Sequence, residues 1–407
     1  MEVIADLHIH SKYARATSKN ISIENLEKYA RIKGLDLLSV GDFQHFLRRK
    51  EIDEKLSEDE NGILRTANGF PFLWQTEISL MYSQNEKRRA IHLVVFAPNG
   101  EVATQVTEFL ESKGRIDYDG RPIFGMTAVE FVEALKKIDD KIEIIPAHCM
   151  TPWFGLYGSK SGFDSLKECF QDQTNKIYAI ESGMSADPAM LWRFEEIASG
   201  KANVISFSDA HSHWPWRIGR EATMFEIPEL TYDNIIKAIR TGEGIKSTIE
   251  TPPEYGKYHW DGHRVCSFSC SPEKTKELKG ICPVCKRPLI IGVDYRVEEI
   301  AKYPKGFKPK NLKPFYKLLP LHEVISLNLG IGMDSRGVWS VYNELIKEHK
   351  NEFEILLNVP KETLVRKFDQ KLVELIIQNR EQKISIKPGF DGEYGVALLG
   401  EKQKKLF

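Results

Sequence analysis

The chain has 407 residues, of which 42% are hydrophobic and 28% charged, and its formal net charge is -1. This length exceeds one ordinary core, so we expect two or three domains. No run of about 18 apolar residues predicts a membrane helix, and no charged-then-apolar leader begins the chain. We therefore expect a cytoplasmic protein with reduced thiols and no membrane partner.

The charges are distributed unevenly along the chain. Residues 1–254 carry 30 Lys and Arg against 39 Asp and Glu, whereas residues 255–407 carry 27 against 19. An acidic half fits a metal site and a basic half fits a polyanion partner, although chance variation of a solvated surface is the alternative.

Seven short apolar runs in the first 210 residues read as buried strands because of their length and their Ile, Val and Phe content. They are "EVIADLHIH", "LDLLSVGD", "FPFLWQTEIS", "AIHLVVFAP", "IEIIPAHC", "IYAIESG" and "NVISFSDAH". Helical segments such as "SIENLEKYARIKG" and "TAVEFVEALKKID" separate several of them. This alternation predicts an α/β fold with a mostly parallel sheet, and seven strands suit a barrel related to the (β/α)8 type.

Three regions follow from this pattern. Residues 1–250 form the predicted barrel, residues 256–320 a small cysteine-containing domain with a basic and aromatic segment, and residues 321–407 a helical domain with a tail.

Residue types that bind metals recur where the predicted strands end. In chain order they are His8 and His10, Asp42, Glu77, His92 (which opens its strand), His148, Glu181, Asp209 and His211. The carboxyl ends of parallel strands share one rim, so these residues would share a pocket. One such histidine is more often a hydrogen-bonded core residue, but a series of them favours a metal site.

Mixed His and carboxylate ligation suits Zn, Mn or Fe. Glu77 and Asp209 could each bridge two cations, and such a pair generates a hydroxide and neutralises a phosphoester. We therefore predict metal-assisted phosphoester hydrolysis, with His8, His10, Glu77 and Asp209 as the catalytic group. Two divalent ions are expected, with a third as the alternative, and Zn, Mn and Mg are the candidates.

The motifs "DLHIHS", "TEIS", "HLVVF", "AHC" and "SDAH" resemble those of the polymerase-and-histidinol-phosphatase (PHP) family, in the same order. The resemblance covers roughly residues 1–250. It implies a distorted seven-stranded (β/α) barrel with two or three metal ions, in an enzyme that is a phosphomonoesterase or a nuclease. Arg15, Ala16 and Phe43 stand where that family places ligands of a third metal, and His45 lies two residues further on. We therefore expect two strongly held ions, and a DNA phosphate contact from Arg15.

Four cysteines, Cys266, Cys270, Cys282 and Cys285, follow a C-x3-C-x11-C-x2-C spacing. Paired cysteines at such spacing predict a structural zinc site that four thiolates would close. Two disulfides are the less favoured alternative in a cytosolic chain.

Several segments have the composition of a nucleic-acid surface, in which cations contact phosphates and aromatic rings stack on bases. The candidate DNA-binding residues are Arg15, Trp153, Tyr157, Lys160, Trp214, Trp216, Arg217, Arg220, Lys308 and Lys310. The alternatives are that the aromatic residues pack against a neighbouring domain and that the arginines pair with acids of the barrel. The Gly-x-Gly turn at residues 330–332 could likewise bind a phosphate or simply cap a helix.

The whole chain resembles the endonuclease Q family through "TPWFGLYGSKSGFDSL", "HWPWRIGREA", the cysteine cluster and "NEFEILLNVP". The resemblance implies a DNA repair endonuclease of the nucleoid that cuts on the 5′ side of uracil, hypoxanthine, xanthine or an abasic site. A metal-activated hydroxide would attack, leaving 3′-hydroxyl and 5′-phosphate ends. The alternatives are a small-molecule phosphoesterase with an appended zinc domain and a non-catalytic DNA-binding adaptor. Gln403, Leu406 and Phe407 resemble a shortened sliding-clamp-binding peptide, or belong to a frayed tail.

Overall fold

The structure, a computed structural model, describes residues 1–398. The predicted clamp-binding residues Gln403, Leu406 and Phe407 lie outside this range. Among the described residues, every helix is too short or too polar to cross a membrane.

The described residues form a mixed α/β structure around one large sheet. The strands of the first 250 residues are β1 (Glu2–Asp6), β2 (Leu37–Ser39), β3 (Ser57–Glu58), β4 (Leu64–Arg65), β5 (Pro71–Gln84), β6 (Lys87–Ala97), β7 (Ile123–Phe124), β8 (Glu143–Pro146), β9 (Ala179–Glu181), β10 (Asn203–Ile205), β11 (Ala222–Glu226) and β12 (Ile245–Glu250). The later strands are β13 (Asp261–His263), β14 (Phe268–Cys270), β15 (Phe315–Lys317), β16 (Ser385–Lys387) and β17 (Val396–Leu398). All seven predicted strands are therefore present, as β1, β2, β5, β6, β8, β9 and β10.

The sheet is mixed, so the prediction of a mostly parallel sheet is wrong. The sheet has eleven strands. Eight of them pair in the order β15-β12-β11-β1-β2-β5-β4-β3, and the other three join through β5, which also pairs with β6 and β7, and through β6, which pairs with β8. β1 and β2 are parallel, as are β2 and β5, but the long pair β5 and β6 is antiparallel, and so are β6 with β8 and β1 with β11. The reason is local, because only Asn85 and Glu86 connect β5 to β6 and such a tight hairpin forces antiparallel pairing.

A separate parallel pair, β9 with β10, adjoins this sheet. The Cys149 N–H donates to the Glu181 carbonyl at 3.0 Å, which connects the end of β8 to β9. The His10 N–H donates to the Ala210 carbonyl, also at 3.0 Å, which connects the chain after β10 to the chain after β1. These two contacts bring residues from both ends of the first 210 positions together.

The helices begin and end largely where the sequence indicates. They are α1 (Ile23–Lys33), α2 (Phe46–Lys55), α3 (Gly100–Lys113), α4 (Ala128–Ile138), α5 (Leu166–Phe170), α6 (Pro188–Leu191), α7 (Glu195–Ala198), α8 (Tyr232–Thr241), α9 (Pro272–Glu277), α10 (Val293–Ile300), α11 (Leu321–Leu329), α12 (Arg336–His349), α13 (Lys361–Val365) and α14 (Gln370–Arg380), with a π-helix at Glu354–Asn358. The Ser22 side chain caps α1, which ends at Gly34 with φ of 96°. Thr127 and Glu130 form a capping box at α4.

Inward-facing residues of the strands form a buried apolar cluster with α8. Ala5 of β1, Leu73 of β5 and Phe96 of β6 belong to it, together with Ile235 and Ile239 of α8. All five are fully or almost fully buried, so this cluster fixes the strands that carry the polar residues described below.

The helices after residue 320 pack against the first region through a buried ion pair. Lys33 Nζ lies 2.6 Å from Glu352 Oε1, and both side chains are buried. Glu352 also accepts hydrogen bonds from the Tyr342 hydroxyl and the Leu321 N–H. These partners satisfy the buried charges, as a buried ion pair requires.

Candidate metal centre

The site residues come from segments that follow or continue the strands. β1 ends at Asp6, so His8 and His10 lie just beyond it, in a stretch that the bridge between Ile9 and Ala210 keeps extended. Glu77 lies inside β5 rather than at its end, because the strand continues as far as Gln84. His92 likewise lies inside β6.

Three residues of the site have positive φ angles, which are rare for side chains other than glycine. The angles are 53° at Asp42, 30° at His148 and 47° at Asp209. Each follows a strand within a few residues, and each conformation costs of the order of 1–3 kcal/mol and persists only because the surroundings enforce it. Such strain at three adjacent turns is typical of a functional site.

Four potential ligand atoms converge at the first position. His8, His10, Glu77 and Asp209 each offer one atom within 4.8 Å of the others. His10 Nε2 lies 3.0 Å from Glu77 Oε2 and 3.1 Å from Asp209 Oδ1, and His8 Nε2 lies 3.7 Å from both oxygens. Two imidazoles and two carboxylates are a ligand set that suits a divalent transition metal.

A second group shares Glu77 with the first. His92 Nδ1 lies 2.9 Å from Glu77 Oε1, and His148 Nε2 lies 3.1 Å from the same oxygen. Glu77 thus presents Oε2 to the first group and Oε1 to the second, as a carboxylate that bridges two cations would. Asp209 belongs to the first group alone, so the structure supports bridging by Glu77 but does not place Asp209 in both groups.

Two buried carboxylates orient the first histidines from behind. Glu181 accepts a hydrogen bond from His8 Nδ1 at 2.9 Å, and Asp42 accepts one from His10 Nδ1 at 2.9 Å. Both rings then direct Nε2 toward Glu77. The prediction of Asp42 as a ligand is corrected, because its other oxygen accepts hydrogen bonds from the backbone and hydroxyl of Ser11. Asp42 therefore lies behind His10, where its hydrogen bond to Nδ1 fixes the tautomer of this candidate metal ligand.

His211 lies beside the two groups rather than within them. Its ring centroid is 4.7 Å from that of His10, and its Nδ1 is 2.9 Å from the Asp209 carbonyl oxygen. Its side chain is about one third exposed. Metal binding by His211 stays a prediction.

The pKa values of Glu77 and His92 fit cation binding, whereas the carboxylates around His8 and His10 outweigh burial and raise the pKa values of these two histidines. Burial alone would raise the pKa of Glu77, but His92, Arg121 and His8 outweigh it and hold the pKa well below its usual range. Burial lowers the pKa of His92 to about 4, despite the attraction of Glu77. An ionised carboxylate and a neutral imidazole are the forms that bind metals.

Three buried polar atoms without hydrogen-bond partners show whether this site fits a metal ion. Within residues 1–398, His8 Nε2, His10 Nε2 and Asp209 Oδ1 are buried and make no hydrogen bond. A buried polar atom without a partner is costly, and these three atoms point at one position. The residues therefore fit a bound cation there.

A cation that the sequence patterns missed lies in this site. Arg121 Nη1 is 3.0 Å from Glu77 Oε2. Arg15, for which the sequence predicts a contact with a DNA phosphate, has a 77% exposed side chain, and its Nε lies 3.5 Å from Asp119 Oδ2. Arg121 follows no strand and belongs to no motif, so only the tertiary structure reveals it.

The cysteine cluster differs from its prediction in one member. Ligand atoms of His263, Cys266, Cys282 and Cys285 lie within 4.8 Å of one another, and the Cys285 sulfur is 3.4 Å from His263 Nδ1. The Cys270 sulfur instead lies 3.3 Å from the Thr275 hydroxyl. All six cysteines are free, so the alternative of two disulfides is not what the structure shows.

The thiol of Cys282 suits zinc binding, whereas burial and the neighbouring thiols raise the pKa of Cys266 to about 11. Burial would raise the pKa of the Cys282 thiol, but the backbone N–H groups of Cys285 and Val284 outweigh it and lower the pKa. Zinc binds the thiolate form, so this turn favours the ligand state.

The candidate DNA-binding residues fall into two sets. Tyr157 is fully buried against Phe194, and Trp216 is 7% exposed and stacks on Trp214 beside Trp339 of α12. The prediction that Tyr157 and Trp216 contact DNA is therefore wrong, because both side chains pack within the protein. Trp214 is half-buried in the same cluster.

The other candidates remain accessible to different degrees. Arg220 donates from Nε and Nη2 to the Ser208 carbonyl oxygen, so it supports the turn before Asp209. Arg217 is half-buried. The exposed candidates are Arg15, Trp153, Lys160, Lys308 and Lys310, and their DNA contacts stay predictions.

Comparisons of the sequence relate this chain to the protein MJ0043. The family model described as the MJ0043 C-terminal domain matches residues 320–383. An uncharacterized protein, MJ0043 of Methanocaldococcus jannaschii, is 35% identical over 291 residues, which are 69% of this chain and 34% of that protein. The chain thus spans about a third of the length of that relative.

Two solved structures match over the whole chain. The crystal structure of PfuEndoQ, a lesion-specific endonuclease from Pyrococcus furiosus, is 31% identical, with a TM-score of 0.88 and coverage of 100% of this chain and 98% of that one. A structure of endonuclease Q with a 27-mer duplex substrate carrying an abasic lesion at the active site is 32% identical, with the same TM-score and coverage. The chain therefore belongs to the endonuclease Q family of nucleases.

Proposed function

We propose that the protein is a DNA repair endonuclease that hydrolyses the phosphodiester bond on the 5′ side of a deaminated base or an abasic site. The observation that carries this proposal is the pair of ligand groups joined by Glu77, in a chain similar from end to end to a lesion-specific endonuclease. The complex of endonuclease Q with duplex DNA supports damaged DNA as the substrate.

The first ligand group would hold one divalent cation and the second group another, with Glu77 shared between them. Two bound cations would supply Lewis-acid chemistry, since they lower the pKa of a water molecule and neutralise charge on a phosphate. His8 and His10 hold the geometry, because Glu181 and Asp42 fix their tautomers. Their rings are fully buried, so the site excludes water from all but its open face, where Asp209 is 26% exposed.

The reaction that fits the proposed ends balances simply. The oxygen of a water molecule forms a bond to the scissile phosphorus, and the bond from phosphorus to the 3′ oxygen breaks. The 3′ oxygen takes a proton, which leaves a 3′-hydroxyl, and the phosphate stays on the 5′ end beside the lesion. We propose uracil, hypoxanthine and xanthine as the deaminated bases.

Structural zinc in the cysteine cluster is part of the proposal. The three cysteines Cys266, Cys282 and Cys285, with His263 or Cys270 as the fourth ligand, would close the coordination sphere. A closed site of this kind stabilises a small domain rather than binding substrate.

The test uses end-labelled duplexes that carry one uracil, hypoxanthine, xanthine or abasic site, beside an undamaged duplex, with Mg2+, Mn2+ or Zn2+. The expected product is a single nick 5′ to the lesion whose 3′ end a polymerase can extend. Release of phosphate from nucleotide or sugar phosphates without any nick would favour the small-molecule phosphoesterase. Lesion binding without cleavage under every metal would favour the DNA-binding adaptor.

A further inference from the structure

Arg121 lies on the open side of the metal centre. Its Nη1 contacts Glu77 Oε2 at 3.0 Å, and its side chain is 24% exposed while that of Glu77 is fully buried. The first ligand group uses the same oxygen of Glu77. The guanidinium therefore contacts a candidate ligand oxygen and also reaches solvent, as a group that meets an entering substrate would.

The loop that carries Arg121 is held in place without the help of Glu77. The Asp119 carboxylate accepts hydrogen bonds from the backbone N–H groups of Arg15 and Arg121, at 3.1 and 3.2 Å. Gln44 donates to the Gly120 carbonyl at 2.7 Å. Arg121 is thus aimed at the centre by its backbone, and its position does not depend on the ion pair alone.

Gly120 explains how closely this loop approaches the site. A Cβ atom there would lie 2.4 Å from Asp42 Oδ2 and 2.9 Å from the Ala14 side chain. Because Asp42 orients His10, the Arg121 loop packs directly on the support of a metal ligand. The position of Arg121 therefore depends on Asp42, the same residue that orients His10.

The guanidinium has donors left for a substrate. Within residues 1–398, Glu77 is its only hydrogen-bond partner, and that bond uses Nη1. Arginine carries five N–H donors in a fork and stays charged at all relevant pH values. Such a fork matches the oxygens of a phosphate group.

We propose that Arg121 is a catalytic residue that donates hydrogen bonds to a non-bridging oxygen of the scissile phosphate. The charge on that oxygen grows as water attacks, so a fixed cation beside it stabilises the transition state more than the bound substrate. This role rests on the proposed endonuclease function and deepens it.

The test compares R121Q and R121K with the wild-type protein in single-turnover nicking of an abasic duplex. The scissile phosphate is used in its normal form and as each of the two phosphorothioate diastereomers. R121Q should nick about 10²–10³-fold more slowly, and R121K should recover part of the loss. The wild-type protein should be slowed by one diastereomer, and this penalty should shrink in R121Q because the contact is already gone.

Metal content per chain is measured on the same samples and should be unchanged in R121Q. The matched control is R115Q, which removes a cation of the same loop whose side chain is 75% exposed and pairs with Asp117. It should nick like the wild-type protein.

Three results separate the possible failures. Wild-type nicking rates in metal-loaded R121Q would overturn the proposal, and so would a loss of ions from R121Q that excess metal reverses together with the rate. In the second case Arg121 would only position Glu77. Absence of nicking by the wild-type protein would instead contradict the proposed function itself.

Discussion

The two candidate metal sites of this chain are built in opposite ways. The site around Glu77 draws its ligands from His8 to Asp209, so about half of the chain must fold before it exists. The cysteine cluster takes its ligands from within residues 263–285. The first site has buried histidines, one shared carboxylate and an open face, whereas the second has three thiols, one histidine and no carboxylate.

This difference indicates different roles. A shared carboxylate and an accessible side leave room for a substrate, while four protein ligands that close the coordination sphere leave none. The first site also has an outer layer, since Glu181 and Asp42 fix its histidines and Arg121 adds a cation. At the second site, backbone N–H groups lower the pKa of Cys282 and so favour its thiolate form. We therefore expect substitutions at the first site to change the reaction and those at the second to change stability.

The largest effect is expected from Asp209→Asn. It removes a charged candidate ligand whose Oδ1 is buried without a hydrogen-bond partner, and nicking of an abasic duplex should fall about 10²–10³-fold or more. The control is Asp233→Asn, which makes the same chemical change at an exposed residue paired with Lys141. Full activity of Asp209→Asn would break the contrast between the two sites.

A smaller effect is expected from Asp42→Asn, which weakens the orientation of His10 without removing a ligand. Loss of such a supporting carboxylate typically costs about 10–100-fold in metal affinity or activity. Titration of the metal-free protein with Zn2+ or Mn2+, followed by calorimetry, should show one weakened site. Unchanged metal affinity would mean that Asp42 serves only to hold the Ser11 turn.

Cys282→Ser should affect the second site alone. The cysteine is fully buried at the centre of its cluster, so the variant should lose about one zinc ion per chain, and residues 257–292 should become sensitive to proteases. Metal binding at the Glu77 site should stay at the wild-type level. Elemental analysis with limited proteolysis checks both statements, and a loss of all metals together would show that the two sites are not independent.

The smallest effect concerns a buried carboxyl behind the first site. Burial raises the pKa of Glu250 to about 8, against the lowering effect of hydrogen bonds from Thr248, Ser182 and Ser206. Because the folded protein holds this proton more tightly than the unfolded chain, Glu250 favours folding below pH 4.5, and that contribution is lost as the pH rises to about 8.

Glu250→Gln keeps the shape and removes the titration. Its Tm relative to the wild-type protein should therefore rise by a few degrees between pH 5 and pH 8.5. Glu243→Gln, at an exposed position, is the control and should show no such trend. A Tm difference that is independent of pH would contradict the buried, protonated state of Glu250.

Local patterns predicted much of this molecule. The apolar runs located all seven strands, and the Ser22 cap and the Thr127–Glu130 box located two helix starts, because these signals lie within a few residues of each other. Ligand-type residues in the predicted strands likewise indicated the candidate metal centre, although Glu77 and His92 lie inside β5 and β6 and not at their ends. What the patterns missed depends on tertiary contacts: the antiparallel β5–β6 pair, the burial of Tyr157 and Trp216, and the approach of Arg121.

The set of residues that the fold brings together in the cysteine cluster shows the same limit. Spacing favoured Cys270 because it completes two cysteine pairs, but the fold of β13 and β14 brings His263 beside Cys285 and turns Cys270 toward Thr275. Spacing along the chain shows only which residues are near in sequence. The register of a strand pair decides which of them lie close together in space.

The most direct test follows nicking and metal content in one titration. Protein stripped of metal from the Glu77 site is reloaded stepwise, and each sample is assayed for ions per chain and for nicking of an abasic duplex. We predict that nicking appears as two ions bind in addition to the zinc of the cysteine cluster, and that the nick lies 5′ to the lesion. Nicking at full rate while the Glu77 site holds no metal would contradict this account.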